Sequence, residues 1–327
     1  MILVTGGAGF IGSNIAAGLV ERKLPVAICD RFRSGNKWRN ISKLELRDVV
    51  APEVLTQWLE ANASEVETII HMGAISSTTE SNVDLIMEVN FTLSRTLWHW
   101  CASRGKRLIY ASSAATYGAG EHGFDDDGSL DALAKLRPLN AYGWSKHLFD
   151  RWVARELAEG NARPPQWAGL KFFNVYGPNE YHKGGMQSVV AQKYSPAAAA
   201  EPFTLFRSYR PDVADGGQKR DFVYVRDCVD VVLWLLDQAN VNGLFNLGTG
   251  QARSFDDLAH AVCAALKRPA DIQYVDMPEA IRPNYQYFTE AAMERLRKAG
   301  YSQPFTSLAE GVQDYVGRYL SQPDRYR

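Results

Sequence analysis

Short apolar runs alternate with helical stretches along the first half of the chain. Ile2-Leu3-Val4-Thr5 is an uninterrupted run of strand length, and helical spacing follows from Phe10 to Arg22. Strands are predicted again at Val26-Ala27-Ile28-Cys29, Val66–His71 and Arg107–Ser112. Helices are predicted near Val54–Asn62 and Val83–Ser103, and a longer one over Asn140–Leu157 precedes a strand at Trp167–Phe173. Strands without alternation, separated by helices, imply a parallel sheet covered on both faces: an α/β, doubly wound fold.

After Asn174 the rhythm breaks. Gly, Pro and Lys crowd Tyr176–Gly185, and Arg210–Gly217 reads as an exposed loop. A helix near Arg226–Gln238 and a strand at Leu244–Leu247 are expected to return to the main sheet. Residues 1–173, with returning segments near 222–250, therefore form one unit. The remainder of 174–327 forms a smaller, interleaved C-terminal α/β domain. Ala197–Ala200 reads as a helix end, and no internal repeat is present.

Composition narrows the function. A chain of 327 residues with 46% hydrophobic content buries a full core, and a formal charge of −1 offers no basic field for nucleic acid or an anionic membrane. No run of ~18 apolar residues spans a bilayer. Cys29, Cys101, Cys228 and Cys263 make no CxxC pair, so neither a metal site nor a disulfide framework is expected. A strand beginning at Ile2 leaves no room for a signal peptide, so the expected location is the cytoplasm.

Thr5-Gly6-Gly7-Ala8-Gly9-Phe10-Ile11-Gly12 lies between a strand and a helix. Glycines at 6, 9 and 12 permit a tight turn, close approach of a pyrophosphate and close helix–strand packing. The helix N-terminus then presents free N–H groups to phosphate. Asp30 follows the second strand, where an acid binds adenosine ribose hydroxyls and favours NAD. Arg31, Arg33 and Lys37 follow at once and suit the 2′-phosphate of NADP. The residues alone leave NAD and NADP even.

Tyr142 and Lys146 are one helical turn apart. An ammonium beside a phenol favours the tyrosinate, so the tyrosine pKa is expected to fall toward neutrality. Ser113 lies at the carboxyl end of a strand, where such folds bind ligands, and its hydroxyl suits a substrate oxygen. Gly73, after another strand, permits close approach of a cofactor. Asn90 is placed to brace a neighbouring strand or loop.

Gly6-x-x-Gly9-x-x-Gly12, Ser113 and Tyr142-x-x-x-Lys146 together resemble the extended short-chain dehydrogenase/reductase superfamily, over essentially the whole chain. The dehydratase branch carries an Asp-Glu pair after the catalytic Ser/Thr; here Ala114 and Ala115 stand there, so epimerases are favoured. Ser76-Ser77-Thr78-Thr79-Glu80, Phe173-Asn174-Val175-Tyr176-Gly177-Pro178, His182-Lys183-Gly184 and Lys219-Arg220-Asp221-Phe222-Val223-Tyr224 resemble the family of ADP-L-glycero-D-manno-heptose 6-epimerases. Another nucleotide-sugar 4-epimerase or reductase is the alternative.

The resemblance implies a Rossmann fold, an ADP-heptose substrate, NADP as cofactor and a closed homo-oligomer, a pentamer in the family. It implies two acid/base groups, Tyr142 and Lys183, with Ser113 and Lys146 completing the catalytic set. Implied cofactor contacts are Gly6, Gly9, Phe10, Ile11, Gly12, Asp30, Arg31, Lys37, Gly73, Ala74, Ser76, Asn90, Lys146 and Val175. Implied substrate contacts are Ser113, Asn174, Lys183, Gly185, Phe206, Arg220 and Tyr285. Two departures stand out: Arg207 replaces an acid-glycine pair, and the loop Tyr209–Gln218 is longer than in the family. Pro52 sits near where the family carries a lysine for the cofactor phosphate.

Overall fold

The computed structural model describes residues 1–279, 281–282 and 285–327. The first half alternates β1 (Ile2–Thr5), α1 (Phe10–Glu21), β2 (Val26–Cys29), β3 (Asp48–Val50), α2 (Leu55–Ala61) and β4 (Thr68–His71). A long helical stretch follows: α3 (Val83–Ile86), a π-helical segment (Met87–Thr92) and α4 (Leu93–Arg104). Then come β5 (Arg107–Ser113), α5 (Leu130–Lys135), α6 (Ala141–Ala158) and β6 (Trp167–Phe172). The remainder holds β7 (Asn174–Tyr176), α7 (Val189–Ala198), β8 (Phe203–Phe206), β9 (Lys219–Tyr224), α8 (Val225–Asp237) and β10 (Gly243–Leu247). Last are β11 (Ala252–Ser254), α9 (Phe255–Ala265), β12 (Ile272–Val275), α10 (Glu294–Lys298) and α11 (Leu308–Tyr315).

Seven strands form one parallel sheet in the order β10-β6-β5-β4-β1-β2-β3. The order reverses between β4 and β1, which opens a crevice at their carboxyl ends. The sheet strands are apolar on both faces because two helical layers cover them. On one side Ile15, Leu19, Val229 and Leu233 pack over Val4 and Ile28; on the other Trp98, Leu97, Phe149 and Trp152 pack over Leu3 and Leu108. The α1–α8 contact is close: a Cβ at Gly18 would meet Val229 Cγ1 at 2.7 Å.

The strand expected at Leu244–Leu247 does return, pairing with β6. Residues 222–224 do not. They belong to β9, which pairs with β7 and β11 in a separate three-stranded sheet. Parallel β8 and β12 make a third, two-stranded sheet. These sheets share a core with α7, α9 and α11 around Tyr176, Phe203, Phe222, Leu258 and Val312. The strands after Asn174 are thus paired with distant partners. Val66 lies outside β4, and β5 runs one residue past its expected end to include Ser113.

Candidate active site

The crevice is walled by glycines. Gly6 has φ +65, and a Cβ there would lie 2.7 Å from the Gly73 backbone nitrogen across the β1–β4 gap. A Cβ on Gly12 would meet the Gly6 carbonyl oxygen at 2.1 Å. Gly9 caps α1 without a side-chain hydrogen bond, and no acid occupies the first turn, so its N–H groups face the crevice uncompensated. The cradle that a Cβ would fill, with those donors, fits a dinucleotide pyrophosphate.

Asp30 follows β2. Its Oδ2 accepts from Ala8 N–H at 2.9 Å; its Oδ1 accepts from Arg31 N–H at 2.7 Å and Lys37 Nζ at 2.5 Å. The acid therefore braces the glycine turn and pairs with Lys37. Arg31 turns away to Glu53 Oε1, at 2.7 Å, where both side chains are about half exposed. Exposed pairs of this kind are weak, so Arg31 is available to a stronger anion.

Gly73, Ala74 and Ser76 line the partly exposed segment after β4. Asn90, expected among the cofactor contacts, is fully buried. Its Oδ1 accepts from Ile75 N–H at 2.8 Å, and its Nδ2 donates to the Ile75 carbonyl and Ser145 Oγ, both at 3.0 Å. It braces the segment after β4 against α6, as its place in the helix suggested. Behind it, His71 links Thr5 Oγ1 (2.6 Å) to Ser94 Oγ (2.9 Å), and burial lowers its pKa to about 3.

Ser113 ends β5, and its Oγ accepts from Ala115 N–H at 3.1 Å. The α6 N-terminus is capped by Asn140 and pressed on this turn: a Cβ on Gly143 would lie 2.7 Å from the Ala115 carbonyl. Tyr142 is thereby held beside Ser113. Burial raises the Tyr142 pKa, and the Ser113 hydroxyl opposes the rise. The expected lowering by Lys146 is not what acts: Lys146 Nζ donates to the Ala111 carbonyl at 2.8 Å, and its own pKa falls, through burial, to about 8. The ammonium is committed to the Ala111 carbonyl, and desolvation is the larger influence on the phenol.

Sequence reasoning missed the support under this turn. Ser112 Oγ donates to Asp150 Oδ2 at 2.7 Å, and Lys171 Nζ donates to the same oxygen at 2.8 Å and to Thr116 Oγ1 at 2.6 Å. Both members of the Lys171–Asp150 pair are buried. The available signal was a lysine inside the apolar run Trp-Ala-Gly-Leu-Lys-Phe-Phe.

Lys183 lies in a 3-10 segment, Tyr181–Met186, beyond β7. Its ammonium sits 5.3 Å from the centre of the Phe10 ring, in the first turn of α1. Desolvation lowers its pKa, while Glu180 raises it. His182 beside it stays neutral, its pKa lowered by burial to about 4, and its Nδ1 meets Asn40 Nδ2 at 3.2 Å. Val175 is partly buried in β7; Asn174 is exposed at that strand's start, and Gly185 is exposed beyond Lys183.

Arg220, on β9, is buried, and no carboxylate pairs with it among the described residues. Its neighbour Asp221 instead receives N–H groups from Thr249, Gly250 and Ala291. Arg220 donates to the carbonyls of Lys219 and Gln286, and its guanidinium lies 5.2 Å from the centre of the Tyr285 ring. Phe206 meets Tyr285 edge-on at 6.4 Å. A buried cation beside two aromatic rings suits a nucleoside diphosphate. The long loop after Arg207 is tied to the same segment: Tyr209 Oη donates to Asp276, and Arg282 stacks 4.1 Å from the Tyr209 ring centre. Pro283 and Asn284, between Arg282 and Tyr285, lie outside the described residues.

The family model described as NAD dependent epimerase/dehydratase matches residues 2–248. An ADP-L-glycero-D-manno-heptose-6-epimerase of Fusobacterium nucleatum is 46% identical, with all of both chains covered. The crystal structure of the Helicobacter pylori ADP-L-glycero-D-manno-heptose-6-epimerase superposes with a TM-score of 0.79 at 29% identity, covering 98% of this chain and 96% of that one. A Thermus thermophilus UDP-glucose 4-epimerase in complex with NAD gives a TM-score of 0.73 at 26% identity, covering 96% and 97%.

Proposed function

The chain belongs to the NAD dependent epimerase/dehydratase family, and from that premise we propose that it inverts C6″ of ADP-D-glycero-D-manno-heptose. The product is ADP-L-glycero-D-manno-heptose, the heptose donor for a lipopolysaccharide core. The reaction passes through a transient 6″-ketone. Inversion requires proton handling on both faces of one carbon. The observation that carries this reading is a desolvated lysine, Lys183, set on the first turn of the dinucleotide-binding helix, in addition to the Ser113–Tyr142 pair at the end of β5.

A bound nicotinamide dinucleotide supplies the acceptor and donor for the hydride of C6″. The chain's own groups do the rest. Tyr142 takes or returns the carbinol proton on one face, with Ser113 donating to the same oxygen. Lys183 serves the opposite face, and its desolvation lowers the amine's pKa, which favours the neutral base. Lys146 holds the nicotinamide ribose. Asn174 orients the heptose, Arg220 takes the diphosphate, and Phe206 and Tyr285 cover the adenine.

NADP is the form proposed, because Arg31 and Lys37 flank Asp30 where a 2′-phosphate would lie. Release of NAD alone from denatured protein would reverse that assignment. The protein is further proposed to be cytoplasmic and to work as a closed homo-oligomer; among the described residues no helix is long and apolar enough to cross a membrane. The deciding assay incubates purified protein with ADP-D-glycero-D-manno-heptose. The L-glycero epimer forms without added reductant. Turnover of a UDP- or GDP-hexose in its place would sink the reading.

A further inference from the structure

The segment that carries Lys183 is tied to the dinucleotide loop by three asparagines. Asn179 is fully buried and holds a left-handed backbone, φ +74, four residues before Lys183. Such a conformation disfavours side chains other than Asn or Asp and persists only where surroundings enforce it. Here they do. Asn179 Nδ2 donates to Ser13 Oγ at 3.0 Å and to the Asn40 carbonyl at 3.3 Å. Its Oδ1 accepts from Arg327 N–H at 3.0 Å. In return, Asn40 Nδ2 donates to the Asn179 carbonyl at 3.0 Å, and it also reaches the Ala8 carbonyl at 2.9 Å and His182 at 3.2 Å. Asn14 Nδ2 donates to the Pro178 carbonyl at 2.9 Å.

Ala8, Ser13 and Asn14 are the glycine turn and first turns of α1, and Phe10 between them supports the Lys183 ammonium. One buried knot therefore spans the cofactor loop and the base loop. We infer that Asn179, with Asn40, is the positioning residue that sets Lys183 in register with the bound dinucleotide. This rests on the reading of Lys183 as the second acid/base group. Loosening the knot lets water reach the ammonium. The charged groups near it are Glu180 on its own turn, with Asp30 and Lys37 beyond His182.

The test uses the holoenzyme. Asn179→Gly keeps the backbone conformation and removes every side-chain hydrogen bond. It is expected to fold, retain its dinucleotide by absorbance, keep KM within about twofold and lose ~10- to 100-fold in kcat. Its pH optimum moves upward, because a solvated Lys183 regains a higher pKa. Asn40→Ala shows the same upward shift, and it carries the test if Asn179→Gly does not fold. An unchanged kcat overturns the inference, as does a fall in kcat with an unmoved pH profile. Lys183→Met is the control. If it remains active, the two-base reading fails; if it is inactive while Asn179→Gly is normal, the positioning inference fails alone.

Discussion

Tyr142 and Lys183 sit in different kinds of local structure, a capped helix and a short turn. Each is expected to matter alone: Tyr142→Phe or Lys183→Met cuts epimerisation at least ~100-fold, measured by product formation under saturating substrate. A Lys183→Met enzyme near wild-type rate would return that lysine to a binding role. At this scale, residue type was legible and electrostatics were not. The spacing of Tyr142 and Lys146 places them on one helical face. Which way the lysine reaches depends on the Ala111 carbonyl, which a different strand brings up. Asn90 shows the same limit. Its place in a helical stretch and its bracing of a neighbouring loop were readable, but its full burial and its bond to Ser145 were not.

At the scale of elements, the glycine turn leaves no space for a methyl group. Gly12→Ala puts carbon 2.1 Å from the Gly6 carbonyl, so the protein should lose its bound dinucleotide, read by absorbance after purification. The Lys171–Asp150 pair joins β6, α6 and the turn after Ser113. Asp150→Asn leaves a buried ammonium without its carboxylate, beside Thr116 and the Tyr117 ring, and a cost of about 3–5 kcal/mol is expected from urea unfolding. A loss under about 1 kcal/mol would mean water reaches the site. Six strands of the main sheet were readable within a residue or two from their apolar runs; the edge strand β3 was not, being three residues long with two of them exposed. The β11-β9-β7 sheet was not, because its pairing joins segments far apart in the chain and none has a local signature.

For the whole molecule, buried histidines tie folding to pH. His71 has a folded pKa of about 3 against an ordinary 6.5, so between those values the unfolded chain takes up the proton first. Stability is therefore lost as pH falls through that window, by about 1.4 kcal/mol per unit. His147 and His182, each lowered to about 4, add in the same direction. Asp126 and Asp227, raised to about 6 by burial, act oppositely and lose stability as pH rises. Comparing His71→Gln with the parent at pH 7, 6 and 5 isolates the His71 share. The variant's stability should fall less steeply with acid by that slope. Equal slopes would place His71 in contact with solvent.

The amino-acid order alone determined the parallel sheet, the glycine turn with its strand and helix, and the identities of the groups at strand ends. These follow from short-range rules: apolar period, turn chemistry and fixed spacing. Only the tertiary structure decided that Lys183 rests on Phe10, that Arg220 is buried beside the Tyr285 ring and that Asn179 binds the base loop to α1. Those facts depend on which distant segments meet and how much water they exclude, and no local pattern encodes either.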